Sequence, residues 1–413
     1  EFDARFILPD IANGLRDDYR AADAQLLEWR MLFQADVNGF PMTLTWDNKT
    51  LPDGSIFIKD EFTGRLISVN MREKNELIVP TSSIKSLRII YSKQKPQLVH
   101  VNSGWNLLSL PFVAEDYSIT ALFPNALSRA FYYRNGYEST DELDNGVSYW
   151  IKFSADDRLS LFGDTVSPQV ISVHKGWNLV GPFDQTVAVA DITTNPNDIL
   201  KSDFIDSEYA ATDSLLPGMG YWVQVSQPGE LVFPNATPAL ARANAYSTLS
   251  TETTEQSYEF PLTVSDAAGN RKILWFGLNE QASDAIDIRM LEEELPPLPP
   301  QGAFDARFVG HDIDVPQLGL GSYRDIRRGD ELFSGTVEHE IEYQAETGPI
   351  TLVWKLPEHI TGQLNSINSD MINKKLIGKD SLTISLTKAM PRLKMRISYS
   401  EMPQPSLTIT SPT

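Results

Sequence analysis

The sequence predicts an all-β protein, with tandem β-sandwich domains of the immunoglobulin-like kind flanking a duplicated small β module. Three observations predict it. Aromatic residues make up 10% of the 413-residue chain, and pleated sheet faces pack such rings well. Thr43-Leu44-Thr45-Trp46 and Ser381-Leu382-Thr383-Ile384-Ser385-Leu386 alternate polar and apolar side chains, which sets one strand face on a core. Asp53-Gly54, Asn135-Gly136 and Asn145-Gly146 are turn signals between such segments. Residues 85–91 read as a half-buried strand. Short helical pieces are expected at 21–27 and 118–123, the second stopped by Pro124.

Two internal repeats order the chain. In the middle, Gly104-Trp105-Asn106-Leu107 returns as Gly176-Trp177-Asn178-Leu179. Tyr137, Thr140, Asp141, Leu143, Gly146, Tyr149 and Trp150 return as Tyr209, Thr212, Asp213, Leu215, Gly218, Tyr221 and Trp222. The second repeat is wider. Phe2-Asp3-Ala4-Arg5-Phe6 returns as Phe304-Asp305-Ala306-Arg307-Phe308, and Pro41-Met42-Thr43-Leu44-Thr45-Trp46 as Pro349-Ile350-Thr351-Leu352-Val353-Trp354. Arg88-Ile89-Ile90-Tyr91-Ser92 matches Arg396-Ile397-Ser398-Tyr399-Ser400. The order is A–B–B–A.

The expected domains are a sandwich over 1–95, module copies over 96–168 and 169–240, a linker over 241–256, a complete sandwich over 257–403 and a tail strand over 404–413. In the last domain Leu295-Pro296-Pro297-Leu298-Pro299-Pro300 fixes an extended polyproline segment. It is expected to cross from one sheet to the other, the rival reading being an SH3-type ligand. The N-terminal copy opens on the Phe2 motif, so the strands that precede Phe304 in its sibling have no counterpart there. An upstream segment or a strand of a neighbouring molecule is expected to fill the gap. Leu407, Thr408, Ile409 and Thr410 alternate like a strand and are the candidate intersubunit strand.

Composition bounds the function. The net charge of −20 argues against nucleic acid and against anionic membranes. No apolar run approaches the roughly 20 residues of a membrane span. Glu1-Phe2-Asp3-Ala4-Arg5-Phe6 has neither the basic start nor the apolar stretch of a signal peptide. The absence of cysteine removes thiol nucleophiles, thiolate metal sites and redox motifs.

Candidate chemistry is sparse. His311-Asp312-Ile313-Asp314 gathers three metal-competent side chains, against a solvated loop as the plainer reading. Glu338-His339-Glu340 puts the two glutamates on one strand face, read as exposed. Asp141-Glu142-Leu143-Asp144-Asn145-Gly146 is oxygen-rich but lacks the ligand order of a calcium loop; the second copy, Asp213-Ser214-Leu215-Leu216-Pro217-Gly218, loses the acidic character while Asp213 and Gly218 remain, which points to a turn. No nucleophile elbow or phosphate loop occurs. Trp46, Trp105, Trp150, Trp177, Trp222 and Trp354 are assigned to cores. Phe131-Tyr132-Tyr133 with Tyr137 is either core or an exposed aromatic strip for stacking on sugars.

The last domain resembles β-sandwich modules near the C-terminal end of bacterial proteins exported by the type IX secretion system. The residues that carry this are Leu274-Trp275-Phe276-Gly277, Ala282, Asp287, the proline run and Phe304-Asp305-Ala306-Arg307-Phe308. The middle pair resembles the Gly-Trp-Asn-Leu modules of the same secreted proteins. The resemblance implies an extracellular or cell-surface place in a bacterium, not an activity. The expected function is structural or adhesive and non-enzymatic, without cofactor, through self-association or other surface proteins. It extends to a subunit of an extracellular filament joined by strand donation. The alternative is an accessory, carbohydrate-binding region of a larger secreted hydrolase.

Overall fold

A computed structural model of the protein describes residues 2–8, 11–21, 26–35, 39–60, 67–93, 97–114, 116–161, 164–166, 169–234, 258–283, 285–310, 318–346, 348–367, 372–385 and 392–400. The 241–256 linker, the 311–314 cluster and the Leu407–Thr410 segment lie outside them. The protein is mostly β, 54% strand against 3% helix, in several antiparallel sheets. Among the described residues no helix is long and apolar enough to cross a membrane. The chain divides into two compact units: Glu1–Tyr132, Ser139–His174 and Leu179–Arg242 form one, and Tyr133–Glu138, Lys175–Asn178 and Ala243–Thr413 the other.

The first unit begins with a six-stranded sheet in the order Ile11–Leu15, Asp3–Leu8, Leu26–Gln34, Ser86–Ser92, Ser55–Asp60, Ser68–Asn70. Met42–Thr45 and Glu76–Val79 pair in a second, two-stranded sheet. Phe33, Ile56, Ile58, Val79 and Leu87 form the core, with Met42, Leu44 and Trp46 only partly buried against it. Of the helix expected at 21–27, residues 22–25 lie outside the described residues, and the rest is corrected, because Leu26 and Leu27 belong to the Leu26–Gln34 strand and pair with Ser92 and Tyr91. That strand is bonded on both sides, to Asp3–Leu8 and to Ser86–Ser92, and two ladders outweigh a local helical preference. The other helix does form, as Ile119–Leu122, capped by the Ser118 hydroxyl accepting from the Ala121 amide.

The two B copies meet in the same unit across an approximate two-fold axis. Bridges join Leu108 to Met219 and Val147 to Val180, and each pair is the other one shifted by the repeat. The Ser109 amide donates to the Gly218 carbonyl at 2.9 Å, and its repeat mate Gly181 donates to Gly146 at 3.1 Å. Backbones come this close because the residues between them are small. A Cβ on Gly181 would sit 2.0 Å from Ser109 Cβ, and one on Gly220 would sit 2.6 Å from Ser148 Cβ.

The second unit holds two five-stranded sheets. One runs Asp305–Val309, Gly335–Gln344, Arg392–Tyr399, Ile360–Ser366, Asn373–Leu376; the other runs Arg324–Arg328, Arg271–Asn279, Tyr258–Ser265, Ile350–Lys355, Lys379–Ile384. Leu262, Leu274 and Leu352 of the second sheet meet Phe308, Ile341 and Leu393 of the first in one dry core. The first sheet repeats the N-terminal order strand for strand from Asp3–Leu8 onward. The second does not: Ile350–Lys355 is bonded to Lys379–Ile384 and to Tyr258–Ser265, whereas its counterpart Met42–Thr45 pairs, among the described residues, with Glu76–Val79.

Candidate functional site

Strand alternation builds the strongest polar site of the second unit. In Asp305–Val309 the side chains of Ala306 and Phe308 enter the core, so Asp305 and Arg307 share the opposite face. Both are fully buried there, with the Arg307 Nε donating to Asp305 Oδ2 at 2.6 Å. Arg307 Nη1 also donates to the carbonyls of Pro296 at 2.7 Å and Leu320 at 2.9 Å. Gln344, directly across the ladder from Asp305, donates through Nε2 to the carbonyl of Pro299 at 2.9 Å. Tyr137 of the same unit donates its hydroxyl to Pro297 at 2.8 Å. The carbonyls of Pro296, Pro297 and Pro299 accept from these side chains, and that of Pro300 from the Ala303 amide at 2.9 Å. Burial pulls the Arg307 guanidinium down, but the Asp305 carboxylate beside it outweighs that and holds it above its ordinary value. Lys272, which donates to the Tyr137 carbonyl at 2.8 Å, is pushed down by burial.

The N-terminal copy carries the same residues in the same register. Asp3 lies across from Gln34 as Asp305 lies across from Gln344. Gly14, at φ +64°, would put a Cβ 2.7 Å from Arg5 Cδ, and Gly321, at φ +117°, would put one 2.6 Å from Arg307 Cδ, so one glycine cradle shapes both arginines. Arg5 is ion-paired with Asp3, yet their side chains are 42% and 48% exposed. They line a cavity of about 750 Å³ together with Ile7, Leu32, Gln34 and Lys85.

A second buried network was not visible in the sequence. His339 Nδ1 lies 2.6 Å from Asp325 Oδ2, and Arg327 Nε lies 2.8 Å from Asp325 Oδ1. Burial would raise the Asp325 carboxyl, but hydrogen-bonded His339 and Arg327 hold it below its usual value. Glu292, 1% exposed, accepts from the amides of Ile326 at 2.7 Å and Asp287 at 2.9 Å, and burial pushes its carboxyl up to about 7. The His–Asp pair resembles half of a catalytic triad, but the imidazole is 0% exposed and lies between the rings of Phe276 and Phe308 at 5.6 Å each. Sealed this way, it braces the fold.

The residues singled out by sequence separate along the same lines. Trp150, Trp222 and Trp354 are buried at 0–2% exposure. Trp46, Trp105 and Trp177 are half-buried, Trp46 packing against the N-terminal core. Trp46 donates its indole N–H to the Met71 carbonyl at 2.8 Å, and Trp105 meets Phe131 edge-on at 5.7 Å. The exposed aromatic strip is also corrected: Phe131, Tyr132, Tyr133 and Tyr137 are all buried. The glutamates of Glu338-His339-Glu340 do not form an open face either. Glu338 holds Lys394 and Arg396, and Glu340 is 5% exposed. The repeated residues of the B copies serve turns. Asn106 and Asn178 each donate to the carbonyl of the motif glycine two residues back at 3.0 Å. Tyr149 and Tyr221 each accept a backbone amide, from Asp144 and Leu216, at 2.8 Å. Among the described residues no group of three or more acidic or histidine side chains is placed to hold a metal ion.

The Asp-x-Arg signal of the Phe304 motif was readable, since two charges on a core-flanking strand need partners. Gln344 and Glu292 gave no such signal, because Gln344 reaches Pro299 45 residues away and Glu292 reaches Ile326 34 residues away. Compared with protein-family models, with curated proteins and with solved structures, the chain gives no match.

Proposed function

We propose that the protein is a non-enzymatic structural or adhesive component of a bacterial cell surface, of the kind carried by type IX secretion. In this reading its two A copies are immunoglobulin-like β-sandwiches, and it assembles by strand complementation. One observation carries the proposal. Ile350, Leu352 and Trp354 are 0–2% exposed beneath the neighbouring Tyr258–Ser265 strand, whereas their counterparts Met42, Leu44 and Trp46 are half-exposed. Half-covered core residues beside a strand edge that is unpaired among the described residues are what an added strand completes. The donor in this reading is Leu407–Thr410 of a second copy. Such a head-to-tail contact repeats without closing and builds a filament.

The test compares the intact chain with one lacking residues 405–413, by electron microscopy and light scattering. Polymers of the intact chain that vanish on deletion, with the circular dichroism unchanged, are the expected result. An intact chain that stays monomeric at high concentration, or polymers that survive the deletion, would overturn it.

A further inference from the structure

We propose that the outer face of the sheet built on Tyr258–Ser265 is a docking site for an acidic polysaccharide, a chain of sugar rings carrying carboxylates. The inference rests on the adhesive reading above and gives it a ligand. Filament formation plays no part in it, so loss of binding here would leave strand complementation standing.

Strand register builds the face. Residues directly across a ladder point to the same side of a sheet, and successive residues to opposite sides. Leu262, Leu274, Leu352 and Trp354 take the inner side and lie in the core. Their chain neighbours therefore take the outer side. There Trp275 sits across from Pro261 and beside Arg324. Ile273, Thr263 and Val353 form the next row, continued by Ser381. Arg271 leads the row after that, through Ser265 to Thr351 and Thr383. Lys355 and Lys379 pair with each other two residues beyond Val353 and Ser381. Trp275 and Ile273 are half-exposed, and Val353 is 36% exposed.

Charge selects the ligand. The rows carry Arg271, Arg324, Lys355 and Lys379 against one carboxylate, Glu259, which is ion-paired with Arg324 at 2.5 Å. Asp380 takes the opposite side of its strand, across from Trp354, and is held by Lys374. The whole chain stands at −20, yet residues 350–400 hold eight lysines and arginines against three acidic residues. An anion is drawn to this face although the chain as a whole repels it. The other side chains narrow the class. Trp275, whose ring centre lies 5.6 Å from the Arg324 guanidinium, makes no hydrogen bond to a described residue, so its indole is free to pack on the C–H face of a sugar ring. Thr351 and Thr383 share a hydrogen bond at 3.3 Å, and with Thr263, Ser265 and Ser381 they offer the donors and acceptors that sugar hydroxyls use. An acidic peptide would answer the cations but not the ring and the hydroxyl rows.

The probe is a fluorescein-labelled polygalacturonate oligosaccharide, titrated with the full chain and followed by polarisation. Saturable binding is expected, weakened about tenfold or more by Trp275→Ala, which removes the stacked ring. The double variant Lys355→Gln, Lys379→Gln should weaken it about threefold or more at low salt. That second effect should vanish at about 1 M salt, where the screening length is about 3 Å. Both lysines are exposed and form no ion pair with a described residue, so their variant keeps the fold and the result stays readable if Trp275→Ala does not. A labelled dextran of equal length, which has the rings without the charge, should not bind. Absence of binding by the intact chain, binding indifferent to both variants, or equal binding of dextran would each overturn the proposal. Equal binding of labelled polyglutamate would overturn it too, and would point to an acidic protein instead.

Discussion

The two A copies place one five-residue motif in two environments. Phe-Asp-Ala-Arg-Phe forms the first strand of an equivalent sheet in each, with the same neighbours in the same register. In the C-terminal copy its ion pair is fully buried; in the N-terminal copy it is roughly half exposed. The difference shows that a buried charge pair here is not a property of the strand that carries it. It is created by a segment laid over that strand, which strips water from the charges and must then return hydrogen bonds to them. The same segment of chain, residues 258–304, also brings the strand that seals Ile350, Leu352 and Trp354. In the C-terminal copy one segment therefore produces both features.

The sharpest way to break this comparison is to remove each arginine. Arg307→Ala leaves Asp305 buried and unpaired and should cost about 3–5 kcal/mol. Arg5→Ala acts on a half-exposed pair and should cost less than about 1 kcal/mol. Calorimetry of the full chain, resolving the transition of each unit, measures both. Equal losses would mean that the overlying segment contributes nothing to the pair.

The matched tryptophans give a smaller contrast. Trp354→Ala opens a cavity in a closed core and should cost about 3–5 kcal/mol. Trp46→Ala removes a half-buried ring and one hydrogen bond to Met71, and should cost about half as much. Urea unfolding followed by hydrogen exchange at the flanking strands distinguishes the two. A full-sized loss at Trp46 would mean that the N-terminal core is already closed.

The smallest effect is a pH dependence confined to the C-terminal unit. Glu292 lies just before the proline run of the C-terminal copy, and burial raises it from 4.5 to about 7. A carboxyl raised on folding binds more protons folded than unfolded, so its stabilising contribution is complete below 4.5 and is lost as pH rises to about 7. Asp287 works the other way. Its carboxyl, hydrogen-bonded by Arg289, is held at about 2 against 3.8, so its contribution is present above 3.8 and is lost as pH falls toward 2. Between pH 4.5 and 7 the Tm of the C-terminal transition should therefore fall by a few degrees as pH rises, to order of magnitude. Glu292→Gln should flatten that slope. A Tm independent of pH over this range in the unmodified chain would remove Glu292 as its source.

How much of this was legible varies by element. The B repeat was readable to the residue, and the structure gives its kept positions local jobs: Asn106 and Asn178 close their own glycine turns, and Tyr149 and Tyr221 brace loops five residues away. Local jobs leave local patterns. Leu26 and Leu27 were misread as the end of a helix because their strand identity comes from a ladder to residues more than fifty positions on. Tyr132, Tyr133 and Tyr137 were left open between core and exposed strip for a related reason, since alternation reports which face a ring takes and not what covers that face.

The sequence by itself determined the β class, the A–B–B–A order, the turns, and which side of each strand carries apolar groups. Those follow from residue period and from the stereochemistry of glycine, asparagine and proline, which act within a few bonds. Only the tertiary structure decided which charges are buried, that His339 is sealed between two phenylalanines, and that the B copies join across a two-fold axis through Ser109, Gly181, Ser148 and Gly220. Burial and long-range pairing depend on what another part of the chain lays against a surface, and identical motifs at Phe2 and Phe304 carry no record of it.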